Sequence, residues 1–490
     1  MSNDVILDLM QIILLTLGTV VVMITAAFKR DHGLVNALTL VSLSAALLVF
    51  VFIAPVLPQQ ATILLMIDGY SLFFSTLIII GALVVTTLAY PYFEKHNQQN
   101  EEFYILLMIG TLGAVILAAS NHFVSFFLGM EILSISLYAM IAYPIHKQDA
   151  AKFPLEASVK YLILSGLSSA SILFGVALLY AQSGTLSFDA IPAAVAALEL
   201  DADPVFIVGL MMIMAGVAFK LSLVPFHIWT PDVYEGAPVP VTAFIATLSK
   251  AAMLAVSLRL IIAAKAFQFE QVTIVLSLLA AASMIVGNLL AVQQNNVKRI
   301  LAYSSIAHLG YLLVVIITAA VLPDSLSVEA MTYYIAAYFL TSLAGFAVIS
   351  ALSNAGRELD DISDYQGLFW RNPWLAAVMT VVLLSLAGIP LTVGFIGKFY
   401  IFSVGVEGNL WFLLSLLIIG SGIGLYYYLR LVYAMLLSPA DMLKPEADAA
   451  KASLPAGIHL VLASLTALIL YLGVYPAPLI ATLQSLASGF

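Results

Sequence analysis

Apolar residues recur along this chain in blocks of about 18 residues or more, the length that crosses a bilayer as a helix. Polar and charged residues collect in the gaps between the blocks. The pattern predicts fourteen spans, over 5–28, 33–57, 70–92, 102–120, 121–143, 156–182, 205–229, 238–264, 269–293, 298–322, 327–352, 373–404, 410–437 and 454–476. Only Ser120, Asn121 and His122 interrupt the 102–143 stretch, so its division into two spans rests on them. The expected fold is therefore an all-α integral membrane protein.

Two spans carry prolines in their interiors. One reads GVAFKLSLVPFHIW, with Lys220 and Pro225, and the other LAGIPLTVGFIGKFY, with Pro390 and Lys398. Proline removes a helix donor and clashes with the preceding turn, so both helices are expected to break. Interrupted helices in corresponding positions of two halves point to a transport site at the midplane. Gly216 and Gly394 each stand four residues before the lysine, on the same helical face. Spans four to eight then form one five-helix unit and spans nine to thirteen another. Five is odd, so the two units insert with opposite topology. The expected organisation is an N-terminal three-helix segment (1–101), a first repeat (102–264), an inverted second repeat (265–437) and a C-terminal helix with its tail (438–490).

Basic residues set the orientation. No basic segment precedes the first apolar block, while Lys29 and Arg30 follow it, so that block is expected to be a retained helix with its N-terminus outside. With that start, the inner side holds Lys29, Arg30, Lys95, Lys147, Lys152, Lys298, Arg299, Arg357, Arg371, Arg430, Lys444 and Lys451. The outer side holds only Arg259 and Lys265. Four of the eighteen basic residues remain, and all lie inside spans: Lys160, Lys220, Lys250 and Lys398. Glu131 is the one acidic residue deep in a span. A central charge costs about 2.5–3.5 kcal/mol on insertion scales, so these residues need a reason.

Composition narrows the chemistry. The chain of 490 residues is 63% hydrophobic and 9% charged, with no cysteine and a net charge of -9. The absence of cysteine excludes cysteine-ligated iron–sulfur clusters and structural zinc. No basic patch suggests nucleic acid. No dinucleotide fingerprint, P-loop, nucleophile elbow or histidine–carboxylate metal motif is present. The charged segment SNAGRELDDISDYQGLFWRN (353–372) reads as an inner loop, at the surface or against a partner, and the tail 477–490 shows no sign of a domain.

The intramembrane charges are the candidates for function, each against a plainer alternative. Glu131 shares a helical face with Ser134 and Tyr138, and a Glu131–Lys220 pair would be a tunable proton site or else a static ion pair. Lys250 lies mid-span in VTAFIATLSKAAMLAVSL, one turn after Thr247, with no carboxylate on its helix. Lys398 stands beside its helix break in the same way. Lys160 is only a turn inside its span and can snorkel to the inner surface. His227 and His308 titrate near neutral pH and suit a relay, or are satisfied core histidines. Asp68, in MIDGYS, reads as an interfacial cap.

The segments VAFKLSLVPFHIWTPDVYEGAPVPVTAFIATLSKAAML (217–254) and NNVKRILAYSSIAHLGYLL (295–313) closely resemble the antiporter-like subunits of respiratory complex I. The resemblance extends over essentially the whole chain and is strongest to the N branch. The PFHIWTPDVYEGAPVPV motif, the length and a lysine at 398 all fit that branch. It implies fourteen helices with two inverted repeats and two broken helices. It implies Glu131 and Lys220 as a proton input pair, Lys250 as a central relay and Lys398 as the residue leading to the other half-channel. Lys160, His227 and His308 match further polar positions. It implies a bacterial inner-membrane setting among sister membrane subunits, with NADH, FMN, iron–sulfur clusters and quinone held by other subunits and no cofactor or metal here. Two other readings stand beside it: a subunit of a multi-subunit sodium/proton antiporter, and a structural membrane anchor that conducts nothing.

Overall fold

A computed structural model describes residues 7–53, 61–94, 100–143, 152–200, 203–263, 270–322, 326–353, 358–438 and 455–487. Lys95, Lys147, Lys265, Arg357, Lys444 and Lys451, assigned above to the membrane faces, lie outside the described residues. The main helices are α1 (Met10–Phe28), α2 (His32–Leu48), α3 (Gly69–Glu94), α4 (Glu101–Ala118), α5 (Phe123–Ile141), α6 (Lys152–Ser183) and α7 (Pro204–Lys220). Next come α8 (Trp229–Gly236), α9 (Val239–Ala263), α10 (Glu270–Val292), α11 (Val297–Val321) and α12 (Ser327–Leu352). The last are α13 (Pro373–Ala387), α14 (Val393–Glu407), α15 (Trp411–Leu436), α16 (Ala456–Val474) and α17 (Ala477–Ala487). Among the described residues, twelve helices have the length and composition to cross a membrane, and the shorter α7 and α13 open the two broken spans. The chain is a multi-pass membrane protein, and the helices of the described residues, with the two broken spans counted, fall on the predicted apolar blocks.

The breaks at 119–122, 221–228 and 388–392 fall where sequence places them. Two segments extend beyond that reading. A new short helix, α8, starts where span seven was expected to end. The tail, which looked featureless, forms α17 and packs on α12 and α3.

Hydrophobicity cannot tell these helices which face to bury, because lipid tails are as apolar as leucine. Close approach at small residues decides instead. α4 crosses α5 at Gly113 and Gly129, where a Cβ on either would fall about 3 Å or less from the other helix's backbone. α10 crosses α11 in the same way at Gly287 and Gly310. α11 and α12 end up at the centre, with 94% of each central stretch buried, whereas α1, α2, α6 and α16 form the rim.

Charges at the helix ends are less superficial than the topology reading assumed. Arg259 of α9 is buried and pairs with Asp68 through two hydrogen bonds of 2.8 Å, Nη1 to Oδ2 and Nη2 to Oδ1. Asp68 does cap α3, accepting from the Ser71 amide at 2.7 Å, yet it also ties α3 to α9. Lys298 is fully enclosed and donates to Glu358 at 2.5 Å and to the Ala237 carbonyl at 2.9 Å. Glu358 also accepts from Tyr92 Oη and the Val239 amide. The 358–372 part of the charged loop thus folds onto the helix ends, with Tyr365 fully buried, because Glu358 satisfies a cation and an amide there. Burial pushes the Asp360 carboxyl above its usual range, although Lys298 and Asn296 oppose the shift.

Removing one partner of a buried ion pair costs about 3–5 kcal/mol, because it strands the other charge. Asp68→Ala should therefore lower the thermal unfolding midpoint in detergent far more than the double replacement of Asp68 and Arg259 by leucine. Equal losses in the two proteins would show that the pair contributes packing alone.

Candidate functional site

The first break follows from a helix that runs out of partners. Asp203 caps α7, its Oδ1 accepting from the Phe206 amide at 2.7 Å, and Pro204 opens the first turn. α7 ends at Lys220, and Ser222 takes a left-handed conformation, φ 62°. The carbonyls left by the lost turn find other donors: Trp229 Nε1 bonds the Phe219 carbonyl at 3.0 Å and the Leu223 amide bonds the Ala218 carbonyl at 2.8 Å.

Lys220 is buried at that helix end. Its Nζ donates to Ser134 Oγ of α5 at 2.7 Å and to Ser165 Oγ of α6 at 2.6 Å. Tyr138 also donates to Ser165, at 2.7 Å. Glu131 accepts from Ser169 and makes no direct ion pair with Lys220. The expected contact pair is thus two adjacent sites. Ser165 and Ser169 lie one turn apart on α6, the first bonded to Lys220 and the second to Glu131.

Lys250 reaches the same break from α9. It follows a π-helical turn, Ile245–Ser249, whose wider winding changes the direction in which the next residue projects. Its Nζ donates to Ser222 Oγ at 2.9 Å, and Thr230 of α8 donates to the same oxygen at 2.7 Å. Only 2% of Lys250 is exposed.

The second break is built differently and ends alike. α13 stops at Ala387, and Gly388, φ 81°, closes it with its own amide and that of Ile389 both reaching the Leu384 carbonyl at 3.0 Å. The Ala387 carbonyl accepts from Lys398 Nζ, which folds back from α14 at 2.9 Å. Lys398 also meets Ser421 Oγ at 3.3 Å and lies 5.5 Å from the centre of the Tyr311 ring. His308 of α11 is buried nearby, with Tyr334 Oη 2.5 Å from Nδ1 and Tyr428 Oη 3.3 Å from Nε2. Ser305, one turn before His308, accepts from Tyr338 at 2.7 Å.

All three central lysines therefore attend the carboxyl end of a half-helix. Lys220 terminates α7, Lys250 binds the turn that follows it, and Lys398 binds the last carbonyl of α13. The negative end of the helix dipole and unpaired carbonyls favour a cation there. Among the described residues none of the three touches a carboxylate.

Two candidates lie off this line. Lys160 is 42% exposed and bridges Glu156 and Asp232, each at 2.7 Å. Asp232 continues to Arg299 at 3.0 Å, and Arg299 to Glu235 at 2.7 Å, so Lys160 belongs to a charged network at the helix ends. His227 sits in the break between the exposed Phe226 and Ile228, and its Nδ1 has no hydrogen-bond partner. Ser134, Ser165, Ser169, Ser222 and Ser421 are the direct partners that sequence reading passed over, except that Ser134 was seen on the Glu131 face. Among the described residues no group of three His, Cys, Asp or Glu side chains could hold a metal.

Comparison with known proteins agrees with this architecture. Residues 120–424 match the family described as NADH:quinone oxidoreductase/Mrp antiporter, TM. NADH-quinone oxidoreductase subunit N of Methylococcus capsulatus is 49% identical over 480 residues, which is 98% of this chain and 95% of that one. A chain of respiratory complex I from Thermus thermophilus with bound Aureothin superposes with a TM-score of 0.82 at 30% identity, covering 96% of this chain and 99% of that one. A chain of the Mrp complex from Dietzia sp. has the same fold, with a TM-score of 0.83 at 18% identity, over 100% and 97% of the two chains.

Gly388 gives this geometry a direct test. A Cβ there would stand 2.8 Å from Lys398 Cδ in a backbone conformation that side chains rarely adopt. Gly388→Ala should cost about 1–3 kcal/mol of stability. Gly166→Ala, whose Cβ meets nothing within 4 Å, should cost nothing. Equal thermal midpoints for the two variants would contradict the close seat described for Lys398.

Proposed function

This chain belongs to the NADH:quinone oxidoreductase/Mrp antiporter family of membrane subunits, on its subunit N branch, and from that premise we propose that it moves protons through the two helix breaks while NADH–quinone chemistry runs in other subunits of the same complex. The reading places it in a bacterial inner membrane, beside sister antiporter-like subunits, with both termini on the outer side. Residues 102–264 and 265–437 act as two inverted five-helix units, flanked by 1–101 and 438–490.

One observation carries this reading: three lysines are retained in the membrane interior, and among the described residues each is held only by neutral oxygens. A static anchor has no use for uncompensated cations at such cost. A relay does, because neutral partners serve ammonium and amine alike. A proton enters from the inner side towards Lys220 under the influence of Glu131 and passes to Lys250. It continues past His308 and leaves outward by way of Lys398. Lys160 and its network serve the inner mouth, and His227 is the weakest member of the set because its Nδ1 bonds none of the others.

Lys250→Ala and Lys398→Ala should each lower proton pumping and coupled quinone reduction in a complex that still assembles. Pumping is read as acidification per NADH oxidised in sealed vesicles. Full pumping by an assembled Lys398→Ala complex would remove Lys398 from the path. Unchanged pumping with Lys220, Lys250 and Lys398 all neutralised would leave the chain as an anchor.

A further inference from the structure

The relay above ends at Lys398, short of the outer surface. From Lys398, α14 runs on to the exposed Glu407, and α12, which packs against it, starts at that same end. One buried acid occupies the interval. Glu329 lies in the first turn of α12 and is 5% exposed. Its Oε1 accepts a hydrogen bond from Tyr400 at 2.8 Å, two residues beyond Lys398 on α14. The Tyr400 ring lies 5.3 Å from that of Tyr333, whose hydroxyl is anchored on the Leu472 carbonyl at 2.9 Å. Five residues along α12, about 7.5 Å at helical rise, Tyr334 bonds His308 in the Lys398 cluster. On the other side, Leu326 is 48% exposed. Glu329 thus stands between the Lys398 cluster and the exposed end of α12, which the proposed orientation sets on the outer side.

A carboxylate in the first turn of a helix also suits the helix dipole, and that alone could account for an exposed acid. It does not account for a buried one. No cation pairs with Glu329 among the described residues, and glutamine could accept the Tyr400 hydrogen bond equally well. What glutamine lacks is the ability to take and give a proton.

We propose that Glu329 receives the proton that leaves Lys398 and releases it to the outer side, with Tyr400 positioning its carboxylate. The proposal rests on the reading of Lys398 given above. In the step, the Lys398 ammonium loses one proton and becomes an amine. That proton crosses to the Glu329 carboxylate, which Tyr400 holds in place; the carboxylate becomes a carboxylic acid and then discharges to outer water.

The test compares Glu329→Gln, Glu329→Asp, Tyr400→Phe and Lys398→Ala in the assembled complex, reading protons pumped per NADH and the KM for quinone. Glu329→Gln should lose pumping to the same degree as Lys398→Ala with KM unchanged, Glu329→Asp should keep most of it, and Tyr400→Phe should fall between. Wild-type pumping by Glu329→Gln beside a defective Lys398→Ala overturns this proposal alone. Wild-type pumping by both overturns the Lys398 reading as well. Where Glu329→Gln does not assemble, infrared difference spectra of the turning-over wild-type complex decide. A protonated-carboxyl band that Tyr400→Phe shifts supports the role, and the lack of such a band ends it.

Discussion

A helix that stops inside a bilayer leaves carbonyls that lipid cannot satisfy. At the second break a lysine takes the terminal carbonyl, while at the first an indole and a backbone amide take the freed carbonyls and two lysines gather on serine hydroxyls. Lys220 ends α7 in a serine cage, Lys250 crosses to the turn beyond it, and Lys398 folds back to the terminal carbonyl of α13. The break makes the site for the charge. Each lysine is also left with neutral neighbours, so its proton is not locked in place by a contact carboxylate.

The rest of the fold holds those breaks in register. Glycine crossings bring α4 against α5 and α10 against α11. Lys298 and Glu358 join the α8–α9 junction to the start of α11, to α3 and to the loop that leads to α13. The Arg259–Asp68 pair fastens α9 to α3 at the other end. These are contact ion pairs, whereas the lysines at the two breaks, among the described residues, touch no carboxylate.

Much of this was legible in the chain. Apolar blocks set the spans, prolines 225 and 390 marked the breaks, and charges inside apolar helices marked the lysines and Glu131. What escaped detection did so for physical reasons. Serine is common in membrane helices, so Ser165 and Ser169 gave no signal until α6 was seen to lie beside α5 and α7. Arg259 and Lys298 sit near helix ends, where a surface charge and a buried pair look alike in sequence. His227 follows Pro225 within the break, where helical phase no longer predicts direction, and it ends half-buried with no hydrogen-bond partner for its Nδ1. The charged 353–372 segment reads as a loop at the surface or against a partner, yet Glu358 packs against this chain's own Lys298 because of its charge.

The central claim is that the lysines at the two breaks belong to one continuous proton path. The most direct measurement is an experimental structure of the membrane-embedded complex at a resolution that shows ordered water. The account predicts a hydrogen-bonded chain of waters and hydroxyls from Lys220 through Lys250 and the Ser305–His308 face to Lys398. A dry, apolar gap between Lys250 and His308, with water resolved elsewhere in the same map, would contradict it.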